Sequence, residues 1–236
     1  MPEQTPRSLN HFGFYRFTES FFGLNGKDRA NIVSGLLKAC RTTCEQIEIY
    51  QTSPARHDAD ILIWSALLAD DPAMTREFFT RAGAALSGFR QWLQPAATLW
   101  GFTKPSQYTK SRSAQELDPF SKERKPYLVI YPFTKIQDWY LMSRDARQGM
   151  MNEHIRIGKE FPQITQLLLY SFGVQDQEFV VVYETDDLSL FSDLVYALRD
   201  TEARRYTKSD APLYTAFHQS PEETLALWCT QAQGEE

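Results

Sequence analysis

Two short stretches of this sequence carry side chains that could do chemistry. The first is Tyr131-Pro132-Phe133-Thr134-Lys135, where strand alternation puts Tyr131, Phe133 and Lys135 on one face. A phenol and an ammonium facing a sheet interior both need polar partners. The alternative is a strand that ends near Phe133 and leaves Lys135 in water. The second stretch is Met150-Met151-Asn152-Glu153-His154. Helical spacing sets His154 one turn from Met150 and Met151 and about one turn from Ile157 and Gly158, on or beside an apolar face. A lone histidine there is more often a core residue than a ligand. As a ligand without Cys or carboxylate partners, it suits haem iron better than zinc, because haem already supplies four nitrogens. Gly158 would let a flat macrocycle or another backbone approach closely. The other histidines, His11, His57 and His218, sit at a strand start, in a loop and before a Ser-Pro turn. The sequence has no Walker loop, GxGxxG, GxSxG, HExxH or CxxC.

The elements that must position these residues come in two matching sets. His11 to Phe17 is an aromatic run fit for a strand, and a helix follows from about Lys27 to Cys44 with Ile32, Val33, Leu36, Leu37 and Cys40 at helical spacing. Strand-like runs follow at Ile47 to Gln51 and Ala59 to Leu68. Asp70 or Asp71 caps a helix through about Leu86, with Pro72 in its first turn. A strand near Thr98 to Thr103 completes a βαββαβ order. The second half repeats it: strand Tyr127 to Phe133, helix Ser143 to Glu160, strands Ile164 to Phe172 and Glu178 to Glu184, and a helix opened by Asp186-Asp187 that runs through about Arg199. Phe17 against Phe133 and Asp70-Asp71 against Asp186-Asp187 give the same offset of 116 residues. The fold class expected is α+β, two fused ferredoxin-like halves whose antiparallel sheets pack or close together. A single such unit beside an unrelated domain is the alternative.

Composition bounds the function. With 236 residues, 42% hydrophobic and 14% aromatic, the chain is too apolar for disorder. A net charge of −5 and no run of Lys or Arg exclude a nucleic-acid footprint. No apolar run approaches a membrane span, and the start MPEQTPRSLN has no export signal. Cys40, Cys44 and Cys229 are too few for a disulfide framework and read as structural thiols of a reducing compartment. Between the halves, Lys104 to Lys125 is rich in Pro, Ser and charge. Its Lys110, Arg112, Lys122, Arg124 and Lys125 could clamp anions, although a solvated linker fits the composition better.

The run from YLVIYPFTK through DWYLMSRDARQGMMNEHIRIGKEFPQITQLLLYSFGVQDQEFVVVYETDD to DLVYALRDTEARRY resembles the chlorite dismutase superfamily, most closely its coproheme decarboxylases. Detailed resemblance spans about Gln107 to Tyr206, with a looser match before it. It implies a dimeric α+β barrel: an N-terminal half (1–104), a substrate-side loop (105–126) and a haem- or coproheme-binding C-terminal half (127–236). It implies a peroxide-dependent haem synthase, an oxidoreductase that converts two propionates of iron-coproporphyrin III to vinyls, with haem b as product. YPFTK matches the motif carrying the redox-active tyrosine, here Tyr131, with Lys135 fixing the reacting carboxylate and Phe133 beside the macrocycle. His154 matches the iron ligand.

On the distal side, chlorite-degrading members carry arginine and many decarboxylases glutamine. Counting from His154 reaches Leu167, whereas anchoring on SFGVQDQEF reaches Gln166, which is taken; neither is arginine. QYTKSRS maps propionate-holding basic residues to Lys110 and Arg112. LVYALRDTE ends in Glu202, matching a glutamate that hydrogen-bonds the iron-binding histidine. A propionate-binding serine near the C-terminal strand is replaced by Ala211. The resemblance further implies a cytoplasmic homopentamer, transient contact with a coproporphyrin ferrochelatase, and no nucleic-acid or membrane partner. The rival readings are a chlorite-degrading enzyme, a haem carrier or sensor, and a haem-free fold with His154 in its core.

Overall fold

A computed structural model describes residues 7–109 and 113–230. In chain order its elements are β1 (Ser8–Phe17), α1 (Glu19–Phe22), α2 (Gly26–Cys40), β2 (Gln46–Gln51), β3 (Ile61–Leu68), α3 (Pro72–Ser87) and β4 (Leu93–Thr103). There follow β5 (Tyr127–Lys135), α4 (Gln137–Leu141), α5 (Arg144–Gly158), β6 (Thr165–Tyr170), β7 (Phe179–Thr185) and α6 (Leu188–Arg199). A 3-10 turn over Glu202–Tyr206, β8 (Thr207–Ser209), β9 (Tyr214–His218) and α7 (Pro221–Ala226) close the chain. The fold is α+β with antiparallel pairing, and the chain divides into two compact units. One holds the chain through Trp100 together with the segment from Ala216 onward; the other runs from Gly101 to Thr215. The C-terminal helix thus goes with the first half, against the simple division at residue 127.

In the first unit β3 lies between β1 and β2, with Phe12 opposite Trp64 and Ile49 opposite Ile63. The Asn25 side chain caps α2 by accepting the Asp28 amide at 2.9 Å. The helix stops at Cys40, short of Cys44, because the Thr42 and Thr43 hydroxyls take the Ala39 and Cys40 carbonyls, each at 2.7 Å. Val33, Leu36, Leu37 and Cys40 of α2 join Tyr15, Phe17, Phe21, Ile49, Ile61, Ile63 and Leu225 in one dry core. Burial pushes the Cys40 thiol up to about 12, so it behaves as an apolar side chain.

In the second unit β7 lies between β5 and β6. The two repeat anchors are both helix caps: Asp71 accepts the Ala73 amide at 2.8 Å, and Asp187 accepts the Ser189 amide at 2.7 Å. Ser143 caps α5 through the Ala146 amide at 3.2 Å. The segment before β5 is a clasp rather than a loose linker. Gln115 donates from one side-chain nitrogen to the carbonyls of Gly158, Phe161 and Ile164, at 2.9–3.2 Å. Its carbonyl accepts the Gln166 amide at 2.8 Å, and the Leu117 amide donates back to the Gln166 carbonyl at 2.9 Å. Arg124 is buried on Glu184 at 3.6 Å, and Lys125 pairs with Asp186. Both cations hold the fold rather than clamp a ligand.

Candidate functional site

Strand register decides which side chains can meet. Directly opposed residues of an antiparallel pair share a face. Val129, Tyr131 and Phe133 of β5 stand opposite Tyr183, Val181 and Phe179 of β7, which in turn stand opposite Gln166, Leu168 and Tyr170 of β6. This face packs against Phe191 and Leu194 of α6. Gln166 therefore shares the face of Tyr131, whereas Leu167 points to the other side and is 4% exposed. The Gln166 side chain is exposed, and its backbone is held at both N–H and C=O by the clasp. No arginine occurs in β6.

Tyr131 stacks on Tyr183, with ring centroids 6.1 Å apart and planes 25° from parallel. Burial, with Tyr183 adding to it, drives the Tyr131 phenol well above the usual tyrosine range. It is a neutral hydrogen donor at any working pH. Phe133 stacks on Phe179 at 4.6 Å. The strand does not end at Phe133, and Lys135 is partly buried. Its ammonium donates to the Ala203 carbonyl at 3.1 Å and the Thr207 hydroxyl at 3.2 Å, and lies 4.6 Å over the Trp139 ring. Burial, followed by the Arg204 charge, lowers its pKa to about 8. The Lys135 amide donates to Glu178, which also accepts the Tyr140 hydroxyl.

His154 lies on α5, a helix with no buried residue at all. No residue of α5 belongs to the apolar cluster on the Tyr131 face, so Met150, Met151, Ile155 and Ile157 are only half-buried. The His154 Nδ1 is buried without a hydrogen-bond partner, which costs about 1–3 kcal/mol. Burial, then the Lys135 charge, lowers its pKa to about 4, giving a neutral imidazole free to donate a lone pair. One turn on, a Cβ placed on Gly158 would meet nothing within 4 Å. Two turns before His154 on the same side, Arg147 has a buried Nε that is likewise without a partner.

One expectation parts from the structure, and two lie outside the described residues. Glu202 does not reach His154. It opens the 3-10 turn, and its carboxylate pairs with Arg205 at 3.4 Å on the surface, while its backbone N–H donates to Glu153. An i,i+3 pair within the turn keeps that side chain outward. Beside Ala211, which has no hydroxyl to donate, Asp210 holds Arg199 at 2.9 Å and Arg204 at 3.0 Å. Lys110 and Arg112 lie outside the described residues. Tyr183, Gln115 and Arg147 were not singled out from sequence. Alternation in EFVVVYE puts Tyr183 on the face of Val181, and only the β5–β7 register brings it to Tyr131.

The sequence profile of the chlorite dismutase family matches residues 27–218. A coproheme decarboxylase of Mycolicibacterium smegmatis is 26% identical over 211 residues, covering 85% of this chain and 87% of its own. Another from Staphylococcus carnosus is 33% identical over 105 residues, covering 42% of this chain and 41% of its own. A mutant chlorite dismutase from Candidatus Nitrospira defluvii superposes with a TM-score of 0.81 at 20% identity, over 94% of this chain and 96% of that one, which is a likeness of fold. The chain belongs to the chlorite dismutase family.

Proposed function

We propose that this chain is a coproheme decarboxylase. It binds iron-coproporphyrin III between α5 and the Tyr131 face and converts two of its four propionates to vinyls. Each conversion consumes one peroxide: the propionate loses a β-hydrogen and carbon dioxide, surrendering two electrons, and peroxide becomes two waters. The observation that carries this reading is the joint placement of Tyr131 and Lys135, both partly buried, on one strand, with the Lys135 charge felt at His154. Support comes from the relatives named above, and from a β6 strand without arginine, the residue that chlorite-degrading relatives use on that side.

The donor set suits an iron macrocycle. His154 offers a neutral imidazole on a helix that fills no core, beside an open Gly158, and would hold the iron. The bound iron supplies the reduction of peroxide. Tyr131 would supply the oxidisable phenol: it would give up an electron and its proton, the proton going to the water formed from peroxide, and take back a hydrogen atom from the propionate β-carbon. Lys135 holds the reacting carboxylate, and with a pKa near 8 it can also hand a proton across close to neutral pH. Gln166 orients peroxide through its amide without the fixed charge an arginine brings. Phe133 lines the macrocycle edge, and Lys110 and Arg112 are further candidates for its carboxylates. A cytoplasmic homopentamer that receives substrate from a ferrochelatase belongs to the same reading. No helix among the described residues is long and apolar enough to cross a membrane.

The test is peroxide titration of the ferric coproheme complex with products weighed by mass spectrometry. Stepwise loss of two carboxyl groups is expected. Tyr131→Phe is expected to keep the Soret shift on binding while slowing decarboxylation about 100-fold or more, or about 2.7 kcal/mol of barrier. Full turnover by that variant overturns the role of Tyr131; bleaching without any loss of carbon dioxide overturns the decarboxylase reading.

A further inference from the structure

The two halves place an arginine at the same point of the same helix and treat it oppositely. Helices α2 and α5 are both 15 residues long, and at an offset of 118 Arg29 corresponds to Arg147. Arg29 is saturated: its guanidinium donates to the carbonyls of Leu24 at 2.9 Å, Phe22 at 2.5 Å and Thr230 at 3.4 Å, and lies over the rings of Phe21 and Phe22. The Arg147 guanidinium makes no hydrogen bond and has no carboxylate within 4 Å among the described residues, although its Nε is buried. The Glu178 carboxylate, close by through Tyr140, is taken by the Tyr140 hydroxyl and the Lys135 amide. The Arg147 charge is felt at Tyr140. A guanidinium is never neutral in a protein, and one N–H of this half-buried cation is shielded from water without an acceptor in the chain.

The surroundings say what kind of group it takes. Arg147 precedes His154 by seven residues, two helical turns or about 10 Å, and points to the same side. Arg144, one turn earlier, lines a cavity of about 760 Å³ with Tyr108, Thr109, Gln148 and Asn152, and Gln148 ties Tyr108 to the helix at 3.1 Å. The leading end of α5 thus carries two cations, one beside a cavity and one half-buried with an unpartnered Nε. We propose that Arg147 anchors a carboxylate of the substrate bound under His154, as a planar fork for one propionate that is not decarboxylated. The inference rests on the porphyrin reading above and adds a residue specific for a carboxylated edge.

The test is a binding measurement, without peroxide. Apoprotein of wild type, Arg147→Met and Arg147→Lys is titrated with ferric coproheme and with its tetramethyl ester, and tryptophan quenching gives Kd. For coproheme, Arg147→Met is expected to weaken binding about 10- to 100-fold, and Arg147→Lys less, because an ammonium keeps the charge but loses the fork. For the ester, wild type and both variants are expected to bind alike. Equal coproheme affinity in wild type and Arg147→Met overturns the proposal, as does an equal loss for coproheme and ester, which would make Arg147 a packing residue. Should Arg147→Met not fold, Arg147→Lys carries the same comparison. Wild type that binds neither porphyrin overturns the functional reading itself, a result distinct from either of these.

Discussion

Helices α2 and α5 hold corresponding places in two repeats, have equal length, and do different things. Helix α2 puts Val33, Leu36, Leu37 and Cys40 into a dry core, sealed by Leu225 of α7 with Trp228 and Cys229 packed against it. Helix α5 has no buried residue, contributes nothing to the cluster on the Tyr131 face, and packs against α6 and the 3-10 turn. Leu36, 1% exposed, corresponds to His154. One helix is used to make a core and the other to leave a slot. Apolar side chains such as Met150, Met151 and Ile155 left half-buried cost stability unless something flat and apolar covers them. The energy one repeat gains from packing is thus given up in the other, where ligand contacts can replace it.

The comparison breaks most visibly if the two helices are exchanged at that position. Leu36→His puts an imidazole where no partner waits, and is expected to destabilise the protein by about 3–5 kcal/mol, from lost apolar contact plus an unsatisfied polar group. Urea unfolding measures this, and a loss under 1 kcal/mol would mean the first core is as loose as the second. The reverse change sharpens it. His154→Leu removes an orphaned polar atom from a place that fills no core, so the apoprotein is expected to unfold at the same or slightly higher urea, by up to about 1 kcal/mol. The same variant is expected to lose the Soret shift with coproheme. If His154→Leu instead costs the apoprotein 2 kcal/mol or more, the histidine is a core residue and the slot is closed.

How much of this was legible in the sequence follows from which forces are local. Both repeats, their capping aspartates Asp71 and Asp187, and the alternation that aligns Tyr131 and Phe133 are written in nearest-neighbour patterns, and the structure has them where the pattern says, whereas at Lys135 the pairing with β8 shifts register. What failed depended on partners far along the chain. Segment 104–125 reads as linker by composition, yet Gln115 and Leu117 bracket Gln166 and Arg124 is buried on Glu184. Hydrogen bonds between residues about 50 apart leave no periodicity. Glu202 sits three residues before Arg205, a local pair that prevails over a longer reach to His154. Gln166 and Leu167 could not be separated by counting, because a one-residue shift reverses every side chain; the β6–β7 register separates them at once.

A pH-dependent effect contrasts the two partly buried histidines. His11 of β1 lies edge-on between the rings of Phe78 and Phe79, at 5.5 and 5.8 Å, and burial lowers its pKa to about 4, the same value that burial and the Lys135 charge give His154. Each is neutral when folded and ordinary when unfolded, so between about pH 6.5 and 4 the unfolded chain binds more protons. Stability from these groups is whole above pH 6.5 and falls as the pH drops through that window. For His11, whose surroundings are filled by aromatic side chains, the loss by pH 4 is expected to be about 1–2 kcal/mol. His11→Phe should remove that share of the slope while leaving the rest of the curve, whatever it does to stability at pH 7. Unfolding in urea at pH 7, 6, 5 and 4 measures the slope directly. An unchanged slope would mean that water reaches His11, and that the first repeat is as open at its strand as the second is at its helix.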